Sequence, residues 1–339
     1  RITNLAAWYP QDTAPRFRFN WSAPLVMSPH DPSTIYLGGN HLFRTRDGGT
    51  TWTILGPDLS TNDPVKTRAG GSGGITPDNT GAETHGTLTT FAPSPVRTDL
   101  FWAGTDDGNV QLSRDGGATW TNVRPNVPGM PAHTWVGRIE ASRADAAVAY
   151  VVFDGHRDDR FEPWIYRTAD YGRTWTRITA GLPADEVVHV VREDPRNPSL
   201  LYAGTEFGVW VSLDAGGRWQ RLMPGMPTVA VQDLVIHPRE QDLVAGTHGR
   251  AIWILDDLTP LQQLTPQVQA SAVHLFVQRQ ATLWENLSRG GQRGHFWWAG
   301  GNPPEFQPAG SLPRANHRAL AQVSYWLRDD GPATLEIST

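Results

Sequence analysis

An eight-residue motif that recurs four times in one frame constrains the fold of this chain more than any other feature. The copies begin at Thr45, Ser113, Thr168 and Ser212, and they share the pattern Ser/Thr-x-Asp-x-Gly-x-Thr-Trp, with Arg218 replacing the last threonine in the fourth copy. An aspartate can accept hydrogen bonds from backbone N–H groups of its own turn, and a glycine allows the positive φ angle of a tight reversal. A tryptophan leaving the turn is large enough to fill the gap to a neighbouring sheet. The motif therefore predicts a repeated structural turn.

The aspartates and tryptophans of this motif are predicted to be structural. The four aspartates resemble a metal or acid cluster in type, but they belong to separate repeats and should lie far apart. We expect each aspartate to bond to the backbone of its own turn and each tryptophan to be largely buried. The residues concerned are Asp47, Trp52, Asp115, Trp120, Asp170, Trp175, Asp214 and Trp219.

Each motif closes a longer repeat, and the repeat indicates the fold. A hydrophobic strand, a polar turn, a second strand ending in Gly-Thr or a similar pair, and a third strand precede each copy. A fifth repeat has lost the motif but keeps the spacing, since nine positions separate Thr205 from Asp214 and Thr247 from Asp256. Four short strands per repeat are one propeller blade. The sequence predicts an all-β chain that contains five four-stranded propeller blades.

Composition narrows the classes of function. The 339 residues carry a net charge of −5, which predicts neither nucleic-acid binding nor a polybasic membrane surface. The chain has no cysteine, so disulfides and thiolate chemistry are excluded. It has no apolar window long enough to predict a transmembrane segment. Histidine spacing typical of zinc sites and the acidic loop typical of calcium sites are both missing, so we expect no metal and no cofactor.

Four segments are predicted along the chain. Residues 1–20 form an incoming linker or strand, residues 21–284 the propeller blades, residues 285–318 a linker, and residues 319–339 the beginning of a β-sandwich. Within these segments we expect a short helix from Asp256, a further strand at 273–277, and two final strands at 321–327 and 333–337 around an Asp-Asp-Gly turn. Two strands are not a domain, so the sandwich would be incomplete here.

Strand parity predicts which face of the propeller carries a site. In a four-stranded meander, the first and third turns lie on one face, and the second turn and the link to the next blade lie on the other. The repeated motifs are third turns. The long link at 56–85, the insertion at 154–160 and the second turns therefore share the opposite face, where loops from several blades meet the central channel.

Carboxylates and a histidine on that face are the candidate catalytic residues. Asp106 and Asp107 together with Glu206 could supply the paired carboxylates of glycoside hydrolysis, or they could be turn formers and a solvated glutamate. Turn formation is the favoured interpretation. Glu83 and His85 could form an acid–base pair near the channel.

Further polar residues are candidate binding residues. Arg138, His189 and Asp233 lie on or beside inner strands and, with His85, could line the channel, either as ligand contacts or as solvated polar groups. His248 and Arg250 lie in the second turn of the fifth repeat. They could bind an anion, or the arginine could pair with a neighbouring carboxylate.

The repeated segments resemble a known group of proteins. The segments that carry the likeness are 102–108, 201–208 and 247–257, together with the four motifs, which resemble Asp-boxes. The chain is similar over residues 20 to about 264 to bacterial BNR-repeat (Asp-box) propeller proteins, the glycosyl hydrolase-like and sortilin-like group. The resemblance implies a secreted, periplasmic or cell-envelope protein that is longer than this chain and has two seven-bladed propellers. This chain would be the later blades of one seven-bladed ring and the start of a carboxy-terminal β-sandwich. Related propellers include sialidases, xyloglucan-cleaving enzymes, sortilin-type receptors and photosystem assembly factors.

Two functions follow as hypotheses. The first is a non-catalytic platform that binds protein or polysaccharide through the loop-rich face. The alternative is a sialidase-like or xyloglucanase-like glycoside hydrolase whose site is shared with a missing upstream propeller, and no catalytic residue is carried over from those enzymes. In either case we expect the five blades to form an arc. The rest of the same protein or a partner subunit would complete the ring.

Overall fold

The computed structural model describes residues 17–67, 84–223, 225–279 and 323–336. The chain divides into two compact units, one ending at Asp256 and the other beginning at Asp257. The first unit contains all five repeats, and each unit is described by itself below. The predicted linker at 285–318, most of the predicted segment at 1–20, most of the long link at 56–85 and the candidate Glu83 lie outside the described residues.

Four antiparallel sheets of four strands and one of three strands make up the first unit. Each sheet is a meander in chain order. The first sheet contains β1 (Leu25–Met27), β2 (Ile35–Gly38), β3 (Leu42–Thr45) and β4 (Thr53–Leu55). The second contains β5 (Leu88–Pro93), β6 (Phe101–Thr105), β7 (Val110–Ser113) and β8 (Thr121–Asn122). The third contains β9 (Trp135–Ala141), β10 (Ala149–Asp154), β11 (Trp164–Thr168) and β12 (Thr176–Arg177).

The remaining two sheets follow the same order. The fourth contains β13 (Val188–Glu193), β14 (Leu201–Thr205), β15 (Gly208–Ser212) and β16 (Gln220–Leu222). The fifth contains β17 (Val231–Ile236), β18 (Leu243–Thr247) and β19 (Ile252–Leu255). The five repeats predicted from the sequence therefore correspond to five sheets. The prediction of four strands in the fifth was wrong for the described residues, because the chain passes after Asp256 into α1 (Thr259–Gln263) instead of a fourth strand.

The hydrophobic core lies between successive sheets. One cluster joins the second and third sheets around Trp102, Val151 and Trp175, and others join the first to the second and the third to the fourth. Glycines that end the second strands allow this packing. A Cβ atom on Gly104 would lie 2.4 Å from Val136 of the next sheet, and one on Gly204 would lie 2.7 Å from the carbonyl oxygen of Val231. The Gly-Thr signature of the repeat thus marks where the next sheet approaches.

The aspartates of the repeated motif bond within their own turns. A side-chain oxygen of Asp115 accepts the backbone N–H of Thr119 at 2.9 Å, and Asp47, Asp170 and Asp214 accept the N–H of Thr51, Thr174 and Arg218 at the same distance. These bonds hold the pKa of Asp47 and Asp115 near 2, with the threonine hydroxyl that also donates to each carboxylate as the largest cause. The carboxylates are therefore occupied by their turns.

The tryptophans of the motif pack against the preceding sheet. Trp219 is buried and its indole N–H donates to the carbonyl of Ile178 at 2.7 Å, while Trp175 packs edge-on against Trp102. Trp52 and Trp120, expected to be largely buried, are only half-buried. Trp52 belongs to the first sheet, which has no preceding sheet among the described residues. Trp120 lies against Gly56, the residue after β4, and a Cβ atom added to this glycine would lie 2.5 Å from the indole.

Hydrogen bonds between turns fix the two faces of the unit. Motif turns bond to first turns, as in Tyr171 N–H to Ala147 O at 3.0 Å. Second turns bond to the inter-sheet links on the other side, as in Asp106 N–H to Thr87 O at 3.0 Å and Glu206 N–H to Val187 O at 2.9 Å. The loop-rich face therefore carries the links and second turns, as strand parity predicts.

The second unit contains short elements only. Its helices are α1 and α2 (Pro266–Ala270), and β20 (Val273–Leu275) pairs antiparallel with β21 (Tyr325–Leu327). The predicted hairpin of strands at 321–327 and 333–337 was wrong, because residues 331–336 form no strand and β21 pairs with β20. The start of the predicted helix near residue 256 agrees with α1.

Candidate functional site

A cavity of about 1000 Å³ lies along the first strands of the sheets in the first unit. Residues of β1, β5, β9, β13 and β17 line it, together with the 154–161 segment and the β14–β15 turn. These first strands converge because each sheet packs against the next at its inner edge. The cavity reaches the second turns and links on the loop-rich face, and its lining also includes Pro29, Pro95 and Arg143 from first turns on the other face.

Bulges direct side chains of the inner strands into this cavity. In four of these strands one residue is left without a partner in the register, namely Thr89, Gly137, His189 and Gln232, and all four line the cavity. A bulge bends its strand and re-aims the extra side chain. His189 lies between buried valines in sequence, and its bulge is what allows the imidazole to face the cavity.

Two histidines and two carboxylates form a cluster at the loop-rich end of the cavity. His189 Nε2 lies 2.9 Å from Glu206 Oε2, and His189 Nδ1 lies 4.0 Å from Asp154 Oδ2. His156 Nδ1 lies 2.6 Å from Asp154 Oδ1. We call Asp154, His156, His189 and Glu206 the histidine–carboxylate cluster. His189 stands between the two carboxylates.

Hydrogen bonds set the charge of Asp154 and His156. Burial alone would raise the pKa of Asp154, but hydrogen bonds from the His156 ring and backbone N–H outweigh it, so the pKa lies below its usual value. The same hydrogen bond raises the pKa of His156, although burial opposes it. Asp154 is therefore ionised at neutral pH, and His156 readily takes up a proton beside it.

Aromatic side chains surround this cluster. Phe161 and Phe207 are half exposed, at 49% and 44%, and both line the cavity. Trp135, at the start of β9, also lines the cavity. The Arg157 guanidinium packs over its ring, 4.2 Å from the ring centroid. Flat apolar surfaces beside convergent polar groups are typical of ligand-binding cavities.

Charged residues from three sheets meet deeper in the cavity. Arg192 on β13 donates to Glu140 Oε2 of β9 at 2.8 Å, to Asp233 Oδ1 of β17 at 2.7 Å and to the Leu234 carbonyl at 2.8 Å. Arg138 Nη2 lies 3.3 Å from Asp233 Oδ2. Burial would lower the pKa of Arg192, but the Glu140 and Asp233 charges outweigh it and raise it. Arg192 thus joins three inner strands.

Along the inner strands, the structure brings together two pairs of residues predicted from the sequence. His189 and Glu206 contact each other in the cluster, and Arg138, which lines the cavity, contacts Asp233 of β17. His248 and Arg250 are exposed in the β18–β19 turn and do not line the cavity. Glu206 lines the cavity but Asp106 and Asp107 do not, so the predicted combination of these three carboxylates does not form.

His85, Asp106 and Asp107 form a separate buried group between the first and second sheets. Asp106 accepts the backbone N–H groups of Gly86 and Thr87 at 3.0 and 2.7 Å, and His85 Nδ1 lies 3.5 Å from its Oδ2. Asp107 accepts the N–H and hydroxyl of Thr61, both at 2.7 Å. Burial, reinforced by the Asp107 charge, raises the pKa of Asp106 to about 7. These contacts hold the inter-sheet link in place.

Sequence reasoning did not select Asp154, His156, Glu140 or Arg192 as site residues. Asp154 and His156 lie in the insertion at 154–160, which strand parity places on the loop-rich face. The signal that could have found them is a carboxylate and an imidazole, two positions apart, at the end of a strand. For Arg192 and Glu140 the signal is weaker. Each is a charged residue in a first strand, β13 or β9, that also carries a residue selected from the sequence, His189 or Arg138.

Within the parts of the chain that the structure describes, no group of three or more histidine or acidic side chains is arranged to hold a metal ion. No helix in those parts of the chain is long and apolar enough to cross a membrane.

The chain is similar in sequence to a curated fungal enzyme. It is 24% identical over 226 residues to the oligoxyloglucan reducing end-specific xyloglucanase of Emericella nidulans, a match that covers 64% of this chain and 19% of the enzyme. The chain thus spans about a fifth of the curated relative that it matches. No protein-family profile matches the chain.

Solved structures show the same fold. The GH74 xyloglucanase of Xanthomonas campestris superposes with a TM-score of 0.51 at 17% identity, over 72% of this chain and 37% of that one. An ancestral GH74 enzyme gives 0.51 at 15% identity, over 85% and 39%. At such identities the likeness concerns the fold alone. Together with the repeated four-stranded antiparallel sheets, it establishes that this chain folds as a β-propeller.

Proposed function

We propose that the chain is the propeller part of a glycoside hydrolase that acts on a polysaccharide of the xyloglucan kind. The observation that carries this proposal is the pair of carboxylates, Asp154 and Glu206, on either side of His189 at the mouth of an open cavity. Half-exposed Phe161 and Phe207 beside the pair provide apolar faces against which sugar rings can stack.

The spacing of the two carboxylates suits glycosidic bond cleavage. Since the two nitrogen atoms of an imidazole ring are about 2 Å apart, the Asp154 and Glu206 oxygen atoms that contact His189 lie within about 9 Å of each other. Glycosidases place their two carboxyl groups roughly 5–10 Å apart. In this proposal Glu206 protonates the leaving oxygen, ionised Asp154 assists the attack of water, and His189 positions both.

The comparisons support the hydrolase hypothesis better than the non-catalytic platform. The fungal relative is named for cleavage of oligoxyloglucan, and structures that share the fold are named as xyloglucanases. Substrate and activity remain proposals for this chain, since it covers only part of each of these proteins. A polysaccharide substrate also favours a secreted, periplasmic or envelope location.

The proposed cleft needs further polypeptide to be complete. The first sheet exposes apolar residues, with Leu25 and Met27 at 68% and 59%, and the fifth exposes Ile252 at 68%. Leu25 and Met27 also line the cavity. We propose that the rest of the same protein, or a partner subunit, covers these surfaces and closes the ring.

Binding and hydrolysis of xyloglucan oligosaccharides test the proposal. Calorimetry should detect binding of a xyloglucan heptasaccharide to the protein, and reducing-end assays should detect cleavage of the polymer. Asp154→Asn and Glu206→Gln should lower the cleavage rate by at least about 100-fold while the oligosaccharide still binds, because each removes a proton-transfer group.

A matched variant keeps this experiment specific. Glu240→Gln removes a carboxylate in the β17–β18 turn, on the face opposite the cavity mouth, and should leave both measurements unchanged. Absence of binding to any xyloglucan fragment would contradict the proposal as a whole. Binding without cleavage by the complete protein would instead support the non-catalytic platform.

A further inference from the structure

Arg138 and Arg192 differ in how completely their hydrogen-bonding groups are used. Arg192 reaches two carboxylates and one carbonyl, so most of its donors have partners. Arg138 has one charged partner within 4 Å among the described residues, Asp233, whose other oxygen is already paired with Arg192. The Nε of Arg138 is buried and has no hydrogen-bond partner in the described structure.

The position of Arg138 allows contact with a ligand. Its side chain is 29% exposed and lines the cavity. It lies three residues along β9 from Trp135, so it stands about 10 Å below the rim where the histidine–carboxylate cluster begins. Burial, followed by the neighbouring Arg192 charge, lowers the pKa of Arg138, although the Asp233 and Glu140 charges oppose the shift.

Only the exposed part of the Arg138 guanidinium is within reach of a ligand, because its Nε is fully buried. A guanidinium is the group that best matches a carboxylate through two parallel hydrogen bonds. We propose that Arg138 forms a subsite for a carboxylate-bearing sugar, so that the cavity takes an acidic polysaccharide. This inference rests on the proposed function, since it names the substrate class of the same cavity.

A pair of matched sugars tests the inference. The probes are a xyloglucan oligosaccharide and its derivative whose free hydroxymethyl groups have been oxidised to carboxylates. The oxidised form should bind about tenfold more tightly, because its carboxylate adds a charge-assisted bidentate pair with the exposed guanidinium nitrogens. Its advantage should shrink as salt is raised and should be lost in Arg138→Gln.

Variants of the two arginines separate binding from folding. Arg138→Gln should keep the unfolding midpoint of the wild type and lose only the preference for the oxidised sugar. Arg138→Lys should keep part of that preference. Arg192→Gln should lower the unfolding midpoint, because it leaves two carboxylates from neighbouring strands without their partner.

The failure of this inference differs from the failure of the proposed function. Equal affinity for the neutral and oxidised sugars, unchanged by Arg138→Gln, would overturn the carboxylate subsite and leave the proposed function standing. Absence of binding by both sugars would overturn both proposals.

Discussion

Trp219 shows how a single side chain joins two sheets. It is 2% exposed, and besides its indole bond to Ile178 its backbone N–H donates to Ala180 O at 2.8 Å. Trp219→Ala should lower the free energy of unfolding by about 3–5 kcal/mol, because it leaves a cavity and an unpaired carbonyl. Trp52→Ala, at the half-buried copy of the same position, should cost clearly less. Urea unfolding of both variants measures this difference, and equal losses would contradict the role of the preceding sheet.

Asp106 makes a second residue-scale prediction, which concerns pH. Its pKa near 7 means that between about pH 4 and pH 7 the folded protein keeps a proton that the unfolded chain has released. Its contribution to stability therefore falls as pH rises through that window. Asp106→Asn removes this titration, so the stability of the variant relative to wild type should improve from pH 5 to pH 8.

The pH measurement needs a carboxylate that does not titrate in this range. Asp115, whose pKa is near 2, provides it, and the stability of Asp115→Asn relative to wild type should stay constant from pH 5 to pH 8. In wild type, His85 changes the free energy of unfolding with pH in the direction opposite to Asp106. Burial lowers the pKa of the histidine, so its contribution to stability is lost as pH falls below about 6.5. A flat profile for Asp106→Asn relative to wild type would refute the assignment.

His189 marks the limit of sequence prediction at the residue scale. The motif aspartates were predicted to bond to their turns because an Asp-Gly turn is determined by local chemistry, and their bonds are local. A histidine within Val187–Val191 could face either side of its strand. The bulge that turns it to the cavity depends on the register with β14, which no short pattern encodes.

At the scale of elements, β13 is tied to the preceding sheet by one buried carboxylate. Glu193 accepts the Ser142 hydroxyl and the Arg143 N–H, both at 2.8 Å, and the Tyr150 hydroxyl at 3.0 Å. Glu193→Gln should lower the free energy of unfolding by about 1.5–3 kcal/mol, because the amide replaces an accepting oxygen by a donor and removes the charge. Differential scanning fluorimetry and urea titration check it.

The matched change for this prediction is Glu240→Gln, in an exposed turn of the fifth sheet, which should stay within about 0.5 kcal/mol of wild type. A loss as small for Glu193→Gln would show that these three bonds add little to the attachment of the fourth sheet to the third.

The elements differed in how far the sequence could predict them. The strands of the five repeats were predictable because each has an apolar run bounded by turn residues. The second unit was not, since β20 and β21 lie about fifty positions apart and their pairing depends on long-range contact. The fifth sheet was predicted to have four strands because the spacing from Thr247 to Asp256 equals that from Thr205 to Asp214 in the fourth repeat. In the structure, α1 follows in place of the fourth strand.

At the scale of the whole molecule, the exposed apolar face of the first sheet has a measurable consequence. Leu25→Ser with Met27→Ser should reduce self-association of the isolated chain, followed by light scattering, because the two residues are 68% and 59% exposed on one strand. Val96→Ser changes a singly exposed residue in the β5–β6 turn and should have no effect. Unchanged self-association in the double variant would contradict an interface at this strand.

The way a motif tryptophan packs on the sheet before it bears on how such chains grow. A repeat with the motif carries the side chain that docks backward, and the sheet before it can carry the glycine that admits this side chain, as Gly56 does for Trp120. A duplicated repeat would therefore arrive with both halves of its joint already compatible. Repeat number can change during evolution by unequal recombination without the invention of new contacts, and sequence within one repeat can drift as long as this joint is kept.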